Sequence, residues 1–222
     1  MNLAGKRSYS PHPDKPVLLL IEGADAFYFV LSQFLSRKEF AVIHLYDFGS
    51  ISELNVEIET LVKAPRFREC IRAVGVMRDA EADVESAIAS VCGAFENVGL
   101  EVPRIAGEVR PGSPACGLHL FPDNINPGCL ENACLSAYGN AEDLDCAQRF
   151  LDCAKRVAGS PNWKAKALVH TMIAIGEKPE MTLGDSAKKG MWNSDSPPLV
   201  LIENFLRHLC AAAKLTNGVG EK

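Results

Sequence analysis

Five consecutive apolar residues, Val17 to Ile21, are followed by Glu22-Gly23 and then by apolar positions at Phe27, Val30, Leu31, Phe34 and Leu35. An unbroken apolar run marks a strand buried on both faces, and the spacing of three and four behind it marks an amphipathic helix. The pair recurs twice. Phe40 to Tyr46 is a second apolar run with a helix expected near 52–63, and Ile71 to Met77 is a third, ending in Arg78-Asp79-Ala80-Glu81. Behind it Val84, Ala87, Ile88, Val91, Cys92 and Phe95 form another helical stripe. This alternation predicts an α/β fold with a mostly parallel sheet and helices on both of its faces.

The Gly- and Pro-rich stretch 99–116 reads as a loop with room for one short strand, and Gly117 to Phe121 reads as a fourth core strand closed by Pro122-Asp123-Asn124. Asn126 is placed to cap a helix with Pro127 at its first position. The remainder is mostly helical, near 128–138, 143–157, 163–176 and 198–213, with Ser196-Pro197 as the start signal of the last helix. The expected organisation is a flexible leader over 1–15, an α/β core over 16–125, a helical extension over 126–213 packed on that core, and a tail over 214–222. No polar low-complexity linker separates core from extension, so one compact unit is expected.

Composition adds little to this picture. At 47% hydrophobic and 23% charged residues, the 222-residue chain has enough apolar surface for a full core. A formal net charge of -5 supplies no basic footprint for coating nucleic acid, although it does not exclude a local basic groove. Eight cysteines, at 70, 92, 116, 129, 134, 146, 153 and 210, form no CxxC pair. They read as free, mostly buried thiols of a cytoplasmic protein rather than as zinc ligands. The apolar run at 17–21 is far too short to span a membrane, so no membrane partner is expected.

The chemistry sits at the strand ends. Ligands of open parallel sheets bind at the carboxyl ends of the strands, and there the sequence places Glu22, Asp79, Glu81 and Asp123, with Glu131 in the first turn of the following helix. Taken singly, each acid reads as a strand end or a helix cap. As a group they demand more, because two carboxylates about 4 Å apart repel by roughly 4 kcal/mol at an effective dielectric near 20. A bound cation, raised pKa values or neighbouring bases must offset that repulsion. Arg78 is the one base in the same turns, and an all-oxygen ligand set suits Mg²⁺ or Mn²⁺.

The segments LLLIEGADAF and VGVMRDAEAD, an apolar strand running into Glu-Gly and a later strand ending in an Asp-x-Asp-like element, resemble the TOPRIM domain of topoisomerases, bacterial primases and the overcoming-lysogenization-defect nucleases. Together with FPDNINPGCLEN and GDSAKKGMW, they look like a prokaryotic family of TOPRIM-like proteins of unknown function, over roughly residues 16–210. The resemblance implies a TOPRIM-like, Rossmann-like core and metal-dependent phosphoryl transfer on nucleic acid or a nucleotide. It makes Glu22 and Asp79 catalytic, with Glu22 a general acid or base, and makes Asp79, Glu81, Asp123 and Glu131 metal ligands. Gly23 would admit a phosphate to the backbone, and a lysine, Lys166 first among Lys164, Lys188 and Lys189, would bind the scissile phosphate. Glu81 departs from the second Asp of the pattern; its longer side chain can still ligate, and Asp83 is the alternative.

Other readings stay open. The acidic pocket could serve recognition of metal, nucleotide or protein without catalysis, or Asp79 could be an aspartyl nucleophile of a phosphatase. His44 and His119 read as core histidines, Trp163 and Trp192 as packing anchors, and neither a nucleophile elbow nor a Gly-rich phosphate loop is present.

Overall fold

The computed structural model describes residues 14–158, 164–176 and 178–216. The first thirteen residues, most of the expected leader, and Trp163 therefore lie outside the described residues. The elements in chain order are β1 (Val17–Ile21), α1 (Ala24–Gln33), β2 (Ile43–Asp47), α2 (Ile51–Lys63), α3 (Pro65–Cys70), β3 (Ala73–Asp79), α4 (Val84–Asn97), β4 (Val109–Arg110), β5 (Ala115–Phe121), α5 (Leu130–Ala137), α6 (Ala141–Ala158), α7 (Lys164–Ala174), α8 (Leu183–Lys188) and α9 (Pro197–Thr216). The sheet has the order β2-β1-β3-β5-β4, parallel throughout except for β4, a two-residue antiparallel edge strand on β5.

Period-two alternation sends the strand side chains into two cores. Val17, Leu19 and Ile21 of β1 join the cluster that α1, α5, α8 and α9 cover. Leu18 and Leu20 point the other way, into the cluster under α2 and α4. All five residues of β1 are fully buried, which is why the strand reads as an unbroken apolar run. Each such leucine contributes about 1.5–3 kcal/mol relative to exposure.

The strand ends shift from their predicted places. Phe40 falls in a short 3-10 turn (Lys38–Phe40), so β2 starts at Ile43. β3 starts at Ala73 and runs through Asp79. In the 99–116 stretch lie β4 and the start of β5 at Ala115. The short helices α3 and α8 escape a periodicity search because six residues hold too few turns to show a stripe. Asn126 is not a helix cap. Its amide and side-chain NH2 both donate to Asp123, and α5 begins at Leu130 with Cys129 as its N-cap.

The C-terminal helix closes the first core by close approach. Gly75 and Gly117 are register partners on neighbouring strands, and together they leave a dent in the sheet. A Cβ at Gly75 would stand 2.7 Å from Leu209 Cδ2, and one at Gly117 would stand 2.9 Å from Phe205 Cε2 and 3.2 Å from the Glu108 carbonyl. His119, fully buried beside Phe121 and Phe205, is a core histidine as expected. Burial pulls its pKa down to about 3. His44 is also buried, and Trp192 is buried with its indole N–H donating to Ser186 Oγ at 3.0 Å. All eight cysteines are free; Cys116, Cys134 and Cys210 are buried, whereas Cys146 and Cys153 are exposed on α6. Among the described residues no helix is long and apolar enough to cross a membrane.

Gly117→Ala is expected to cost roughly 1–3 kcal/mol in urea denaturation, because Phe205 and the Glu108 backbone must shift. Gly93→Ala, inside α4 with nothing within 4 Å of the new methyl, is expected to stabilise by about 0.5–1 kcal/mol.

Candidate functional site

The site is assembled at the carboxyl ends of β1 and β3. Glu22 directly follows β1, and the next residue, Gly23, has φ +82, a conformation that costs glycine no strain and lets the chain turn directly into α1. Asp47, at the end of β2, fixes this turn: its Oδ1 accepts from Gly23 N at 3.0 Å and Gly49 N at 2.9 Å. Sequence reasoning missed Asp47, although it ends its apolar run just as Asp79 ends the third. Glu22 Oε1 accepts from Ile51 N, the first amide of α2, at 3.0 Å, while Oε2 lies 3.2 Å from Arg78 Nε. Neither of the latter two atoms has an aligned hydrogen-bond partner, although both are buried. Arg78 is further held by Ser90 Oγ at 2.8 Å. Burial raises the pKa of Glu22, against the opposing pull of Arg78 and the Ile51 amide.

Asp79 points to the other face of the sheet. Its Oδ1 accepts from Leu130 N, the first amide of α5, at 3.0 Å. Burial and the neighbouring Glu131 carboxylate push its pKa up to about 7, with Glu22 and Glu81 adding to the rise and the Leu130 amide opposing it. Glu81 sits in the left-handed region at φ +56. Its backbone exchanges two hydrogen bonds with Gly128, of 2.9 and 2.7 Å, and this bridge pins the end of β3 to the start of α5. Glu131, in the first turn of α5, is buried and lies 3.4 Å from Lys166 Nζ, which also pairs with Asp25 at 3.1 Å. Burial lowers the Lys166 pKa, but Glu131 and Asp25 outweigh it, so the ammonium is held above its usual range.

Glu22, Gly23, Asp25, Asp79, Glu81, Glu131 and Lys166 line one cavity of about 260 Å³, together with Ala24, Ala26 and Leu130. The structure thus gathers most of the expected residues, including Lys166 from a distant helix, and adds Asp25. Asp123 is not among them. Its carboxylate accepts from Ile125 N, Asn126 N and the Asn126 side chain, a turn-forming role that holds its pKa low despite some burial. Asp83 is likewise occupied, as the N-cap of α4 accepting from Glu85 N at 3.1 Å. The amide of Gly23 is taken by Asp47, and the first turn of α1 lines the cavity through Ala24, Asp25 and Ala26. Lys188 and Lys189 line a different cavity. A larger cavity, about 590 Å³, opens at the amino ends of the strands among Val62, Phe67, Arg68, Ile71 and Arg72 and carries no carboxylate.

The donors in the acidic cavity are carboxylate oxygens, which suits Mg²⁺ or Mn²⁺. Among the described residues no three His, Cys, Asp or Glu side chains stand ready as a metal cage. Asp79 and Glu131 are the carboxylates that could share a hydrated ion, Glu131 being the strongest neighbouring charge on Asp79. Burial and Glu131 push the pKa of the neighbouring Cys129 thiol up to about 12, which favours its protonated form.

Fold and site together define an α/β protein with a five-stranded, mostly parallel sheet and an acidic cavity at its strand ends. The chain belongs to the family described as a protein of unknown function, DUF3226, whose model matches residues 16–211. No curated protein and no solved structure matches it.

The Asp79 pKa has a measurable consequence. It lies above the ordinary aspartate value of 3.8, so the folded state holds this proton more tightly than the unfolded chain does. The stability it contributes is complete below about pH 4 and is lost as pH rises through about 7. With divalent cations chelated, Asp79→Asn is expected to exceed the wild type in stability at pH 8 by on the order of 2 kcal/mol, with the gap narrower at pH 5 and closed only below about pH 4. Urea denaturation at the two pH values measures it.

Proposed function

We propose that this cavity binds Mg²⁺ or Mn²⁺ and carries out metal-dependent phosphoryl transfer on nucleic acid or a nucleotide, in the manner of a TOPRIM-like nuclease. The observation that carries the reading is the meeting of Glu22, Asp79, Glu81 and Glu131 in one cavity that also receives the first turn of α1 and the ammonium of Lys166. Carboxylates suit a cation, whereas helix amides and an ammonium suit a phosphate. A divalent ion would be held by Asp79 and Glu131, with Glu81 within the same cavity, and it would supply neutralisation of the charge that develops on phosphoryl oxygens.

The chain's own residues supply the remainder. The amides of Ala24 to Ala26 and Lys166 orient a phosphate at the mouth of α1. Glu22, with its raised proton affinity and one oxygen lacking a hydrogen bond, holds or releases a proton beside it. Asp79 would give up its proton to hold the cation, whose charge would offset the repulsion from Glu131.

A second reading, recognition of metal, nucleotide or protein without catalysis, draws on one observation. Arg78 already stands on Glu22 and Lys166 on Glu131, so part of the acidic charge is neutralised within the chain. Mn²⁺ calorimetry and cleavage assays separate the two. Asp79→Asn and Glu22→Gln are each expected to lower Mn²⁺-dependent cleavage of DNA or RNA by at least about a hundredfold with an unchanged circular dichroism spectrum. Full activity in either variant sinks the catalytic assignment, and Mn²⁺ binding by a wild type that cleaves neither polymer selects recognition.

A further inference from the structure

The carboxylates that line the cavity are Glu22, Asp25, Asp79, Glu81 and Glu131, and the base among the described lining residues is Lys166. Lys166 comes from α7, which packs on α5 and α6 through Leu168, Val169, Met172 and Ile173 and is separate in sequence from every acid it meets. Its side chain, about half exposed, places Nζ 3.1 Å from Asp25 and 3.4 Å from Glu131. Glu131 is nearly inaccessible to solvent, and a buried carboxylate without a cation is costly. Lys166 also sits in the first turn of its own helix. An ammonium is disfavoured there by the helix dipole, so its position is sustained by the carboxylates across the cavity.

We propose that Lys166 is a built-in counter-cation that competes with the divalent ion for Glu131, so that metal enters the cavity by displacing the ammonium. This rests on the metal reading of the cavity and adds to it a residue that sets how tightly metal is held. The side chain suits the role. A lysine presents a compact charge on a flexible stem, and its half-exposed position lets it swing to solvent without leaving a charge buried. Arg78 is different. It is buried and held by both Glu22 and Ser90, and it stays in place whatever fills the cavity.

The test is calorimetric titration of the full chain with MnCl2 alone, near pH 8, using wild type, Lys166→Met and Lys166→Arg. Lys166→Met is expected to bind Mn²⁺ about tenfold more tightly than wild type, the scale of one partly solvated ion pair. Lys166→Arg keeps the charge and is expected to stay within about twofold of wild type. Loss of an ion pair that serves structure alone would weaken Mn²⁺ binding or leave it unchanged, whereas a gain shows that the ammonium opposes the metal at this cavity. Equal or weaker Mn²⁺ binding by Lys166→Met, with the wild type binding, overturns this proposal and leaves the metal reading standing. Absence of binding in all three proteins overturns both.

Discussion

Repulsion among carboxylates in a poorly solvated edge is the constraint around which the site is arranged. A parallel sheet covered on both faces buries its strands completely, and its carboxyl edge inherits a low dielectric. Charges placed there interact strongly. Glu22, Asp79, Glu81 and Glu131 meet at that edge, and each is answered differently. Arg78 and an α2 amide face Glu22, an α5 amide and a raised proton affinity serve Asp79, Lys166 faces Glu131, and Glu81 is left to solvent on a left-handed backbone. The devices come from separate elements, so the site exists only when the sheet and its helices have docked.

The same contacts have a structural duty. Asp79 supplies an acceptor to the start of α5, Glu22 does so for α2, and Asp47 fixes the turn into α1. Helix N-termini leave amides without partners, and carboxylates there gain from the helix dipole as well. The helices are therefore aimed at the acids by the groups proposed for function, and the bridge between Glu81 and Gly128 adds a backbone link. A cation arriving at Asp79 would find a carboxylate with one oxygen already oriented.

The packing of α9 bears on the site from outside the cavity. Gly75 and Gly117 remove two side chains from the sheet surface, and Phe205 and Leu209 fill the dent. This couples the C-terminal helix to β3, the strand that carries Asp79. Residues that never approach the cavity thus help to determine where its central acid lies.

Much of this was legible in the sequence. The apolar runs at Val17–Ile21 and 71–77, each followed by a helical stripe, determined a parallel sheet with helices on both faces, because strand and helix periods are set by local geometry. The strand-end positions of Glu22, Asp79 and Glu81 followed from the same runs. Other features were decided by tertiary structure alone. Asp123 looked like one more strand-end acid, yet its carboxylate closes its own turn onto Asn126. Asp47 and Asp25 went unmarked although one orients Gly23 and the other shares Lys166. Lys166 stood first among four candidate lysines, but its partners Asp25 and Glu131 appear only once α7 packs on α5. A side chain's type and spacing are written in the chain, but which charges face one another across a cavity depends on contacts between residues far apart in sequence, and no local pattern encodes those.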